Sequence, residues 1–105
     1  MSAVPSLTDG ERRLGLRIAV EKRRERALFK ALVKSGEVDP LSALSDKRAA
    51  NIRVEELLRS MPGIGRASAA SIMTLCGIAP NRRVRGLGSR QRERLSDAVA
   101  HWSTR

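Results

Sequence analysis

Two short stretches of this chain carry residue types suited to holding an anion. The first is Met61-Pro62-Gly63-Ile64-Gly65-Arg66-Ala67-Ser68. Pro62 has no N–H and disfavours the helical region for Met61, so a helix is expected to stop there. Gly63 and Gly65 flank Ile64, and a glycine accepts positive φ and lets another backbone come close. Ala67, Ala69, Ala70, Ile72 and Met73 then resume helical spacing. A helix starting from such a turn aims unpartnered N–H groups outward, and its dipole places partial positive charge there. Phosphate is the common anion at such a start, and Arg66 adds a full charge beside it. The second stretch is Asn81-Arg82-Arg83-Val84-Arg85-Gly86-Leu87-Gly88-Ser89-Arg90. Arg82, Arg83 and Arg85 fall in a short extended or irregular run, with Val84 and Leu87 as anchors into a core. Guanidinium forks suit phosphate oxygens and narrow minor grooves. Each stretch also has a plainer reading, as glycines that merely close a helix hairpin and as a solvated basic loop.

The bulk charge favours the anion reading. The 105 residues carry a net charge of +10, which points to a polyanionic partner, nucleic acid or an anionic surface. The charge is split. Residues 11–34 hold nine basic and three acidic residues, +6; residues 35–80 hold five of each, 0; residues 81–105 hold seven arginines and two acids, +5. Two basic regions therefore flank a neutral hairpin. Single-strand binders stack bases on several aromatic faces, whereas here Phe29 and Trp102 are the only two aromatics. A duplex held by its backbone is the better fit.

Other chemistry is poorly represented. No apolar run approaches the roughly 18 residues of a membrane span, and no signal-peptide order opens the chain, so a cytoplasmic protein is expected. Cys76 is the single cysteine, which excludes an internal disulfide and a cysteine-rich zinc site; it reads as a small buried hydrophobe. His101 is the one histidine and has no second ligand at metal spacing. Neither a nucleophile–histidine–acid set nor a Walker loop is present. Glycosylases with a comparable hairpin use an N-terminal proline and a four-cysteine zinc finger; here position 2 is Ser2. No enzyme is expected.

The elements that must position these stretches read as helices throughout. Residues 1–7 form a loose lead, and Thr8 to Glu11 fits a capping box opening a helix from Asp9 to Lys34. Leu14 and Ile18 make one apolar face of it; Ala27, Leu28, Ala31 and Leu32 make another, with Phe29 and Val33 to one side. The first half should project, and Lys22 to Arg26 is read equally as a solvated face laced by charge pairs around Glu21 and Glu25 or as a phosphate contact. Arg13, Arg17, Arg23 and Arg24 form a candidate second basic surface. Gly36 closes the helix, and Asp39-Pro40 opens another to about Arg48, burying Leu41 and Leu44. Lys47 to Asn51 reads as a linker. Arg53–Ser60 and Arg66–Leu75 make the hairpin, Gly77 ends it, and Ser89 caps a last helix to about His101 with Leu95, Ala98, Val99 and Trp102 inward. The outcome is an all-α chain: a basic N-terminal arm over residues 1–36 and a compact core over residues 37–105.

Read together, Leu7-Thr8-Asp9 before a long basic helix, Val54-Glu55-Glu56-Leu57-Leu58, Met61-Pro62-Gly63-Ile64-Gly65, Ile72-Met73 and Ile78-Ala79-Pro80 running through Arg92 resemble the actinobacterial, mycobacterial-type integration host factors, over nearly the whole chain. The resemblance implies a helix-two-turns-helix core and a long N-terminal helix. It implies binding of double-stranded DNA with little sequence preference, bending or compaction, a nucleoid role and support of site-specific recombination, with a recombinase or integrase as a further partner. It implies a DNA-binding set of Pro62, Gly63, Ile64, Gly65, Arg66, Ser68, Arg82, Arg83, Arg85, Gly86, Ser89 and Arg90. It allows a monovalent cation on the carbonyls of the hairpin turn, with no other cofactor; a monomer and no membrane partner are expected. The chain departs from the family at Ser68, where Lys or Arg is common, and between Asp39 and Arg53. A second resemblance, to the small-subunit ribosomal protein with the same core, rests on Gly63-Ile64-Gly65-Arg66, Gly77-Ile78 and Arg83-Val84-Arg85, and would make ribosomal RNA the partner. A protein-docking module with a basic arm is the third alternative.

Overall fold

The structure, a computed structural model, describes residues 8–103; the lead expected over residues 1–7 lies outside the described residues. Helix α1 runs Asp9–Ser35, α2 Pro40–Ala43, α3 Val54–Ser60, α4 Arg66–Cys76 and α5 Ser89–Ser103, with 3-10 turns at Lys47–Ala49 and Val84–Gly86. The fold is all-α. Among the described residues the one β feature is an antiparallel bridge between Arg53 and Arg83.

Helix ends follow local chemistry. The Thr8 hydroxyl accepts the Glu11 N–H at 3.1 Å and donates to the Glu11 carboxylate at 3.0 Å, so Glu11 reaches back to the threonine side chain. Gly36, at φ 86°, closes α1 and sends its N–H to the Val33 carbonyl. The Asp39 carboxylate accepts from the Leu41 and Ser42 N–H groups.

Five expectations are corrected. Helix α2 stops at Ala43, well short of Arg48. The supposed linker is built instead: Asp46 caps the 3-10 turn at Lys47–Ala49, and Ala49 and Ile52 enter the core. Because α2 is one turn long, Leu41 stays 41% exposed while Ala43 and Leu44 are buried. The buried stripe of α1 is Phe29 and Val33, with Leu28 60% exposed. The ring of Phe29 has the larger area to remove from water, so it sets the helix rotation. Ser89 is the first residue of α5 and not its cap. Gly88 takes that place, its carbonyl accepting from Arg92 N–H at 2.9 Å and its N–H donating to the Gln91 Oε1 at 3.1 Å.

The core packs Phe29 and Val33 of α1 against Leu57 and Leu58 of α3, Ala69, Ile72, Met73 and Cys76 of α4, and Leu95 and Val99 of α5. The first half of α1 takes no part. Leu14, Leu16, Ile18 and Val20 are between 47% and 63% exposed, and the helix, about 40 Å long at 1.5 Å per residue, stretches the molecule to 59 Å.

Candidate nucleic-acid interface

The hairpin turn is a short hinge between α3 and α4. Met61 leaves α3 in an extended conformation at φ −76°, ψ 141°, as expected for a residue before proline. Gly63 takes φ +80°, the left-handed region that an L side chain enters at a cost of about 1–2 kcal/mol. Ile64 turns inward and is 6% exposed, so a partner meets its backbone only. Gly65 is the N-cap of α4 and, having no side chain, makes no capping hydrogen bond. The N–H groups of Arg66, Ala67 and Ser68 thus lack intrahelical partners at the positive end of an eleven-residue helix. Pro62, Gly63, Gly65 and Arg66 are exposed and Ser68 is half-buried.

The arginine loop is a rigid element. Its backbone is zipped to residues 50–54 by three hydrogen bonds: Val54 N–H to the Arg82 carbonyl at 2.9 Å, Val84 N–H to the Ile52 carbonyl at 3.0 Å, and Arg85 N–H to the Ala50 carbonyl at 3.0 Å. The bond from Val54 also satisfies the start of α3, where Arg53 offers no side-chain cap. Val84 is buried and Leu87 half-buried, which makes both the anchors that their spacing predicts.

The arginines are not equivalent. The Arg82 guanidinium folds back to donate to the Gly86 carbonyl at 3.1 Å, and a Cβ on Gly86 would meet its Cδ at 3.0 Å. Arg83 donates through Nη1 to the Asn51 carbonyl. Each still has further N–H groups, since a guanidinium carries five. Arg85 is exposed and makes no side-chain hydrogen bond or ion pair among the described residues. Ser89 and Arg90 lie exposed at the start of α5.

Arg92 has a role that its charge hides. It is half-buried and donates to the Leu44 carbonyl at 2.7 Å and to the Val84 carbonyl at 3.1 Å, tying the end of α2 to the loop. Gln91 does similar work at the other edge, its Nε2 donating to the Gly77 carbonyl at 2.8 Å. Nothing local in the sequence distinguishes Arg92 from its exposed neighbours.

The α1 arginines divide among different surfaces. Arg23 lines a groove of about 360 Å³ with Arg26, Lys30, Arg53 and Arg83, so it shares a wall with the arginine loop. Arg17 and Arg24 instead flank exposed Leu16 and Val20, and Arg13 lies further out on the same projecting half. Of the groove residues, Arg26 closes the Lys22 to Arg26 run weighed from the sequence as a phosphate contact, while Lys30 and Arg53 were not singled out from the sequence. The signal was there: positions 23, 26, 30 and 34 follow one helical stripe, beside buried Phe29 and Val33. No ion pair among the described residues uses Glu21 or Glu25; the pairs present are Lys30–Glu56, Arg48–Asp46 and Arg59–Glu55.

Three groups titrate away from their ordinary values, and one of them, the Arg48 guanidinium, is pushed up by its side-chain hydrogen bonds to Asp46. The Asp46 carboxyl is held below the usual carboxylate range, first by the Arg48 side-chain hydrogen bonds and then by the Arg48 backbone N–H. Burial pushes the Cys76 thiol up. Among the described residues no cluster of His, Cys, Asp or Glu could hold a metal ion, and no helix is long and apolar enough to cross a membrane.

Comparison with known proteins bears on the family and the fold. The S13-like H2TH domain family matches residues 23–98. The integration host factor of Mycobacterium tuberculosis is 41% identical over 97 residues, covering 89% of this chain and 92% of the relative. The protein of the same name from Streptomyces coelicolor is 38% identical over 93 residues, covering 85% and 87%. Among solved structures, sIHF bound to an 8bp palindromic DNA superposes with a TM-score of 0.73 at 34% identity, covering 79% of this chain and 98% of that one.

Proposed function

Because this chain belongs to the integration host factors, within the S13-like H2TH domain family, we propose that it binds double-stranded DNA through backbone and minor-groove contacts with little sequence preference. Integration host factors are not enzymes, so the work is done by binding and by shaping what is bound. In this reading the protein acts on the nucleoid in the cytoplasm, as a monomer. It bends or compacts DNA and supports site-specific recombination beside a recombinase or integrase.

The observation that carries the reading is the arginine loop. A loop fixed by three backbone bonds presents Arg85 with its guanidinium unengaged. A preorganised cation of that kind suits a narrow, electronegative minor groove. The uncapped start of α4 supplies N–H donors for one phosphate strand, with Pro62, Gly63, Gly65, Arg66 and Ser68 around it and Ile64 contributing backbone. Arg82, Arg83, Gly86, Ser89 and Arg90 complete the contact set. A monovalent cation could sit on the turn as well: the Met61 carbonyl accepts the Ile64 N–H at 3.2 Å and keeps a second lone pair.

The test is binding of the purified protein to a labelled random duplex DNA and to a structured ribosomal RNA helix, across several salt concentrations. Tight, salt-steep and sequence-indifferent binding with DNA preferred is the expected result. Preference for RNA would move the assignment to the ribosomal alternative. Weak binding to both would leave a docking surface for an acidic protein.

A further inference from the structure

The second half of α1 and the length of α3 run side by side, with two grooves between them. The first is lined by Arg23, Arg26 and Lys30 from α1, Arg53 and Glu56 from the α3 side, Asn51, and Arg83 from the arginine loop. The second continues along the same pair of helices and is lined by Lys30, Lys34, Glu56, Arg59 and Ser60. Lys30 and Glu56 border both, so the two form one trough leading from the arginine loop towards the hairpin turn. Its first part holds five cations and a single carboxylate. That carboxylate, Glu56, is paired with Lys30 at 3.5 Å, and the two side chains are 45% and 35% exposed.

Five cations around one groove repel one another unless an anion sits among them. In the free protein the anion present is Glu56. A carboxylate and a phosphate oxygen offer the same acceptor to an ammonium or a guanidinium. We propose that this trough is a phosphate site for the backbone of the duplex, and that Glu56 is its resident counter-anion, from which Lys30 transfers to a phosphate oxygen on binding. The inference rests on the DNA-binding reading above. It extends the contact surface from the loop onto α1 through Arg23 and Lys30, and onto the start of α3 through Arg53.

The exchange has a signature in salt dependence. Each phosphate neutralised releases counterions and steepens the dependence of log K on log salt by about 0.9. Glu56, once released, takes up a salt cation and offsets most of that gain for Lys30. Replacing Glu56 by Gln removes the uptake and keeps the shape of the side chain. The variant Glu56→Gln should bind duplex DNA about two- to fivefold more tightly, the range an exposed ion pair corresponds to, with a slope steeper by up to about 0.9. Glu93→Gln, an exposed site on α5, is the control for loss of a negative charge anywhere. Lys30→Gln should weaken binding with little change in slope, because in the unaltered protein Glu56 already offsets most of the Lys30 contribution.

Glu56→Gln matching Glu93→Gln in affinity and slope would overturn the proposal. So would Lys30→Gln with the affinity of the unaltered protein, and this second variant decides the matter if Glu56→Gln melts early. An unaltered protein that shows no salt-dependent duplex binding would sink the proposed function itself. Normal binding without a Glu56 effect removes only the trough.

Discussion

At the scale of single residues, positive charge alone does not identify a contact. Arg85 and Arg92 stand seven positions apart in one arginine-rich run, yet their guanidinium groups do opposite things. Arg85 is exposed, while Arg92 is half-buried and spends two N–H bonds on the carbonyls of Leu44 and Val84. Arg85→Ala should therefore weaken all duplex sequences about equally and flatten the salt slope by roughly 1. Arg85→Lys keeps the charge but loses the fork, so it should restore the slope without restoring full affinity. Arg92→Gln should behave differently. It leaves two carbonyls short of a donor and loosens the loop, so the melting temperature and affinity fall while the slope is kept. Salt titrations of the three variants, with thermal melts alongside, separate a contact from a support; an Arg92→Gln slope reduced like that of Arg85→Ala would make Arg92 a contact after all. The anchoring of the loop through Val84 and Leu87 was legible in the sequence. The division of labour was not, because it depends on where Leu44, Asn51 and Val84 come to lie.

At the scale of elements, what was legible is what is encoded within three or four residues. Thr8, Gly36, Asp39-Pro40, Pro62 and Gly77 all mark helix boundaries where the structure has them. The stretch between α2 and α3 was missed, although one of its two determinants is local. The 3-10 turn at Lys47–Ala49 exists because Asp46 caps it and because residues 50–54 pair with the arginine loop. The turn at Gly63 is a local feature with a testable energy. No atom lies within 4 Å of a Cβ built there, so the φ of +80° alone sets the cost of a side chain. Gly63→Ala should lose about 1–2 kcal/mol in denaturant unfolding; an unchanged midpoint would mean that the turn adapts. Asp46 gives a pH test of the neighbouring element. Its folded pKa lies below the ordinary 3.8, so its contribution to stability is present above that value and is lost as pH falls through the lower, folded one. Asp46→Asn should lower stability near neutral pH slightly and flatten the acid limb of the stability profile below about pH 4. Acid limbs that coincide would show that the Arg48 pairing adds nothing to folding.

At the scale of the whole molecule, the charge sums of the sequence give two basic blocks but not their meeting. The fold brings Arg23 and Lys30 of the first block to Arg83 of the second across the neutral hairpin, and the second half of α1 makes that possible. Its attachment is narrow. Phe29 and Val33 are the buried residues of a 27-residue helix, and the Phe29 ring is covered by the Arg48 guanidinium at 4.8 Å from its centroid. One side chain thus holds both a share of the core and the orientation of the arm. Phe29→Ala should cost about 3–5 kcal/mol, as for other buried aromatic truncations, whereas Leu28→Ala, one position away and 60% exposed, should stay within about 0.5 kcal/mol. If the variant still folds at low temperature, its duplex affinity should also fall, because Arg23 and Lys30 no longer face Arg83. Melts followed by circular dichroism, with binding measured well below the midpoint, separate the two losses. Equal melting of the Phe29 and Leu28 variants would mean that the arm is oriented by something other than this ring.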